Sequence, residues 1–213
     1  MAGLIFEGEY AQLRAQMLPG DVIAFGGKGS TLSSLIKAVT RGPVSHVGVV
    51  LQTSVLDEAQ GRYFNQVIES TSLNGFTGVT ISRLSSRIDT YEGDVWWLPL
   101  SSHARDRMDS AAFWNFLFEQ EGKPYDSWQA WRAGIDALDR LGLTYAEEDF
   151  SKLFCSELVA GSLEAGGVLH DINASEWTPL DVCRAPVFGQ RYYQLSGALT
   201  EIPGFGSLSA ASV

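Results

Sequence analysis

Apolar and polar positions along the chain switch between two periods, and the switches outline the elements. After the turn Leu18-Pro19-Gly20-Asp21 comes the short apolar run Val22-Ile23-Ala24-Phe25, which reads as a buried strand. Past the glycine-rich Gly26-Gly27-Lys28-Gly29, the residues Leu32, Leu35, Ile36 and Val39 recur at helical spacing, and Gly42-Pro43 ends that helix. Residues 44–51 are apolar and β-branched, and with 66–70, 79–84 and 94–100 they predict four further strands of one sheet. The pattern then turns helical. One helix is expected over 105–120, a second through Trp128, Trp131, Ile135 and Leu138, and a third from Ser151 to Gly166-Gly167 with Cys155 in its first turn. Beyond Leu195 the residues are small and polar, which predicts a loosely held tail over 196–213 after a single domain over 1–195.

Composition narrows the classes. With 213 residues, 45% of them hydrophobic, the chain can bury one substantial core, and no repeat or low-complexity segment marks a second domain. The fold class expected is α+β. The formal charge is -10, with no basic cluster, so nucleic acid is a poor partner. No stretch is long and apolar enough to span a bilayer, and the first residues lack the basic start and apolar run of a signal peptide. The expectation is a cytoplasmic or particle-delivered protein without a transmembrane segment. Two cysteines, Cys155 and Cys183, form no Cys-x-x-Cys pair and no disulfide framework. The Gly26–Thr31 loop misses the phosphate-loop spacing, no Gly-x-Ser-x-Gly elbow is present, and the three histidines are too scattered for a metal motif, so no metal or cofactor is expected.

Chemistry concentrates on three residues. Cys155 shares a helix face with Leu158, Val159, Ser162 and Leu163, and a thiol at a helix N-terminus gains thiolate character from unpaired N–H groups and the helix dipole. His46 lies in the strand Val44-Ser45-His46-Val47-Gly48, where alternation sets it on the same face as Gly48, and a glycine there leaves room for the close approach of another element. Glu69 is an acid in the apolar run Val67-Ile68-Glu69, costly unless partnered, and an imidazole N–H would satisfy it. Gln66, Ser70 or Asp21 could orient the imidazole instead. A lone cysteine on an apolar helix face is more often inert, and Cys183 keeps that reading.

Pro19-Gly20-Asp21, Ser45-His46-Val47-Gly48, Val67-Ile68-Glu69, Gly122-Lys123-Pro124-Tyr125-Asp126, Phe154-Cys155-Ser156-Glu157-Leu158-Val159 and Trp177-Thr178-Pro179-Leu180 together resemble the permuted NlpC-type cysteine hydrolases of the YiiX and YebB-like group, distant relatives of lecithin-retinol acyltransferase. The resemblance implies a circularly permuted papain-like fold, an antiparallel sheet packed on helices, with the histidine strand before the cysteine helix. It implies catalytic roles for Cys155, His46 and Glu69 and a substrate pocket shaped by Tyr125, with Ser45 and Ser156 as further candidate substrate contacts. The implied activity is hydrolysis of an amide or ester, in a peptidoglycan-type peptide or a lipid-linked acyl group, through a Cys155 thioester. The alternatives are acyl transfer from the same thioester, or a non-catalytic part of a phage or secretion particle that retains the fold.

Overall fold

The computed structural model describes residues 3–27, 42–73, 75–124 and 147–208, with side chains throughout except over 147–153. The helix predicted over 32–39, Tyr125, and the helix carrying Trp128 and Trp131 lie outside the described residues. In chain order the elements are β1 (Leu4–Glu7), α1 (Tyr10–Leu13), β2 (Val22–Gly27), β3 (His46–Asp57), β4 (Arg62–Leu73), β5 (Phe76–Arg83), α2 (Leu84–Thr90), β6 (Gly93–Leu98), α3 (Ser102–Arg107), α4 (Ser110–Gln120), α5 (Glu147–Ala165), α6 (Pro179–Arg184) and β7 (Arg191–Ser196).

The fold is α+β. The described strands form one seven-stranded sheet in the order β1-β7-β6-β2-β3-β4-β5. It is mixed rather than purely antiparallel, because β1 runs parallel to β7 at one edge. Alternation in the strands sends side chains to two apolar layers. Val47, Val49 and Leu51 of β3 and Ile68 of β4 pack under α4, α5 and α6, together with Phe113, Leu163 and Leu180. Ile23, Phe25, Val50, Val67 and Trp97 face the other way, under Met17, Leu84 and Ile88.

Three expectations change. The single helix over 105–120 is two, because Asp109 caps a new start by accepting from Ala111 N and Ala112 N at 3.0 Å each. The run ending at Leu84 does not finish as strand, since Leu84 opens α2 and buries with Ile88 one turn on. The segment after Leu195 is not loose over 197–208. Thr200 O accepts from Trp96 Nε1 at 3.0 Å, Ile202 N donates to the Tyr192 hydroxyl at 2.9 Å, and Phe205 stacks on Tyr192 with centroids 4.4 Å apart. Scattered Ile202 and Phe205 carry that packing, which no periodicity announces.

The turn before β2 is tied down by Asp21. Its buried carboxylate accepts from Leu18 N, Trp97 Nε1 and Leu100 N at 2.9 Å each and pairs with Arg105, which also donates to Pro19 O at 3.0 Å. The chain's turn, β6 and α3 thus share one acceptor group. Asp21→Ala strands those donors in the interior, and a loss of at least about 3 kcal/mol in the free energy of urea unfolding is expected. A change within the noise of the wild-type transition would mean that water replaces the carboxylate.

Candidate functional site

His46 is the first residue of β3. Backbone pairing places it beside Phe25 of β2, with ring centroids 5.3 Å apart. Two residues on, Gly48 lies against β4: a Cβ built on it would meet Val67 Cγ2 at 2.9 Å, Glu69 Cβ at 3.1 Å and Ile68 O at 3.2 Å. The space next to the histidine is therefore taken by the neighbouring strand, not by a docking helix end, and it lets the Glu69 side chain pass over Gly48 to the imidazole. His46 Nε2 donates to Glu69 Oε2 at 2.6 Å with both side chains buried. Asp21, considered as an alternative partner, is committed elsewhere.

Glu69 has a second partner that the sequence did not announce. Arg87, on α2, donates from Nε to Oε1 at 2.6 Å and from Nη2 to Oε2 at 3.2 Å, a bidentate pair with almost no exposure. Its guanidinium lies 5.0 Å from the ring centroids of both Phe25 and Tyr91. The spacing of Leu84, Ile88 and Tyr91, at i, i+4 and i+7, is the signal that would have placed a helix there and turned Arg87 inward.

Cys155 approaches from the helix layer. It is fully buried, as are Val159, Ser162 and Leu163 on the same face of α5. Nδ1 of His46 is buried with no hydrogen-bond partner among the described residues, and Cys155 is close enough to the ring to shift its protonation. Burial works against the imidazolium, yet the charge of Cys155, helped by Glu69, pushes His46 up to about 9. Glu69 is held below its ordinary value despite burial, because His46 and Arg87 stabilise the carboxylate. Burial pushes the Tyr91 phenol up to about 12 although Ser45 hydrogen-bonds it, so this hydroxyl stays protonated within electrostatic reach of Glu69 and Cys155.

The position of Cys155 in its helix departs from expectation. Helix α5 begins at Glu147, so Cys155 is its ninth residue and lies in the third turn. Its N–H is committed to the helix ladder, and the helix dipole acts mainly on the first turn. A helix end therefore does not act directly on this sulfur. Cys183, on α6, is buried and its thiol is pushed well up, first by burial and then by the nearby Cys155 charge.

Ser45 and Ser156 are brought close to the site but not into it. The buried Ser45 hydroxyl accepts from Gly27 N at 3.3 Å and donates to Phe25 O at 3.4 Å, locking β3 to β2. Ser156 is also buried, and its hydroxyl donates to Trp177 O at 2.5 Å. Both hydroxyls are thus bonded to backbone groups of neighbouring segments. Next to Trp177, Thr178 and Asp181 form a capping box that starts α6, which is the physical content of the Thr-Pro turn. Tyr125 is outside the described residues. Among the described residues, no group of three or more His, Cys, Asp or Glu side chains is arranged to hold a metal, and no helix is long and apolar enough to cross a membrane.

No protein-family model matches this sequence, and no curated protein matches it.

Two outcomes follow from the buried charges. Arg87→Met leaves Glu69 with one partner, and a loss of about 3 to 5 kcal/mol in urea unfolding is expected; an unchanged midpoint would show that Glu69 takes up a proton at little cost. The His46 contribution to stability is complete below its ordinary value of 6.5 and is lost as pH rises through about 9, while that of Glu69 is complete above its ordinary value of 4.5 and is lost as pH falls below it. The wild-type urea midpoint should accordingly exceed that of His46→Gln most between those two values, the gap closing on the alkaline side. A gap independent of pH would contradict the pairing.

Proposed function

We propose that this protein is a cysteine hydrolase that cleaves an amide or ester through an acyl-thioester on Cys155, on a circularly permuted papain-like fold of the NlpC type. The observation that carries this reading is the buried Glu69–His46 pair, with the acid on one ring nitrogen at 2.6 Å and Cys155 close enough to the imidazole to shift its protonation. The chain order, histidine strand before cysteine helix, is the permuted one.

In this mechanism the Cys155 sulfur attacks the substrate carbonyl carbon. The carbon–nitrogen or carbon–oxygen bond breaks as His46, carrying the thiol's proton, protonates the leaving amine or alcohol. Water then attacks the thioester with His46 accepting its proton, which is returned to the sulfur as the carboxylic acid departs. Glu69 fixes the orientation of the ring through Nε2 and leaves Nδ1 free to exchange a proton, and Arg87 keeps Glu69 ionised. The resemblance to NlpC-type enzymes favours a peptide or lipid amide or ester as substrate and a cytoplasmic or particle-delivered setting. An amine or alcohol in place of water would turn the same thioester to acyl transfer.

One observation favours the non-catalytic alternative, a retained fold used in assembly: Cys155 has 0% exposure. Incubation with p-nitrophenyl acyl esters, acid quenching and peptide mass spectrometry separates the two. The hydrolase reading expects an acyl adduct on Cys155 and not on Cys183, and turnover abolished in Cys155→Ala and reduced by at least about 100-fold in His46→Ala. No adduct on Cys155, or one that forms equally well without His46, would sink it and leave assembly as the function.

A further inference from the structure

The two histidines outside the site flank one arginine. Arg107, the last residue of α3, donates from Nη1 to His103 Nε2 at 3.3 Å and from Nη2 to His170 Nε2 at 2.8 Å, with longer contacts to the carbonyls of Gly167 and Val168 at 3.4 and 3.5 Å. Arginine can only donate, so both Nε2 atoms present lone pairs, and a neutral imidazole of that form carries its proton on Nδ1. The cluster is one permanent positive charge between two imidazoles that each retain an N–H. Asp171, in the left-handed region at φ 55°, turns the chain immediately after His170.

Arg83, Arg87, Arg105 and Arg184 each pair with a carboxylate of the chain. Arg107 pairs with none among the described residues, although acids outnumber bases 25 to 15 in the sequence. Beside it opens a cleft of about 190 Å³, with Ser101, His103, Arg107 and His170 at the polar end and Val168, Trp177, Val187 and Leu208 among its apolar walls. His46, Glu69 and Cys155 are not part of those walls. A cavity of roughly 150 Å³ lined by aliphatic and aromatic side chains holds a benzene ring. The apolar part of this cleft therefore suits one phenyl group or a short acyl chain.

We propose that this cleft binds a small amphipathic carboxylate, its apolar body against Trp177 and Val187 and its carboxylate on the Arg107 guanidinium. The N–H groups of Arg107 not used by the imidazoles and carbonyls, on Nε and Nη1, can donate charge-assisted hydrogen bonds to a carboxylate. A phosphate would leave the apolar walls unfilled. The site does not depend on any reaction at Cys155.

The test is a titration of the protein with 3-phenylpropionate, followed by the imidazole NMR signals, with 3-phenylpropan-1-ol and inorganic phosphate as comparators. Saturable shifts of His103 and His170 but not His46 are expected, with a dissociation constant on the order of a millimolar or tighter. The alcohol and Arg107→Gln should each weaken binding at least about tenfold, and an undisturbed His46 signal in the variant would report an intact fold. Absence of saturable shifts, equal binding of acid and alcohol, tighter binding of phosphate, or an unaffected Arg107→Gln would each overturn the proposal.

Discussion

A row of buried polar groups in a dry interior governs this molecule: Arg87 pairs with Glu69, Glu69 pairs with His46, and Cys155 lies close enough to the imidazole to act on it. Taken singly, an ionised group in such surroundings costs several kcal/mol, and the cost is offset only when every charge has an opposite neighbour and its remaining hydrogen-bonding capacity is met. The row is therefore an all-or-none construction. Its members come from α2, β4, β3 and α5, so forming it brings both layers and the middle of the sheet into register at one point.

The surrounding residues make that point rigid. Gly48 keeps the path from Glu69 to the imidazole clear, Ser45 fastens the head of β3 to β2, and Phe25 with Tyr91 encloses the guanidinium of Arg87. A histidine with one nitrogen fixed at 2.6 Å and its ring packed at 5.3 Å from Phe25 has little freedom to turn. Asp21 does the same for the frame at a distance, holding the entrance of β2 against β6 and α3. Two buried carboxylates thus do different work: Asp21 gathers backbone and side-chain donors into a scaffold, whereas Glu69 hands its charge on to a titrating ring.

His46, Glu69 and Cys155 were legible in the sequence because each is an exception to its local pattern: a histidine and an acid in β-rich runs, and a thiol on the apolar face of a helix that ends at Gly166-Gly167. Strands β2 to β6 were legible from apolar runs and β-branched residues, whereas the short edge strand β1 and its partner β7 were not anticipated. Arg87 was not, because arginine is normally a surface residue and the seven-residue helix that turns it inward is too short to outweigh the strand pattern ending at Leu84. The start of α5 was misplaced because Ser151 reads as a cap, while the ladder continues back to Glu147. The packing of 197–208 rests on single contacts from Thr200, Ile202 and Phe205, which leave no periodic trace.

Among the described strands β1 has one neighbour, β7: Leu4 pairs with Arg191 and Glu7 with Gln194. Strands β2 to β6 can pair among themselves as an antiparallel core, but the outer edge of β6 waits for residues that follow α6, and β1 waits in turn for β7. The first strand of the chain is thus the last to find its place. Assembly has a direction opposite to that of synthesis at this edge, and until Arg191–Ser196 is laid down the apolar Leu4 and Phe6 have no strand beside them and β6 presents an open edge to any other extended chain.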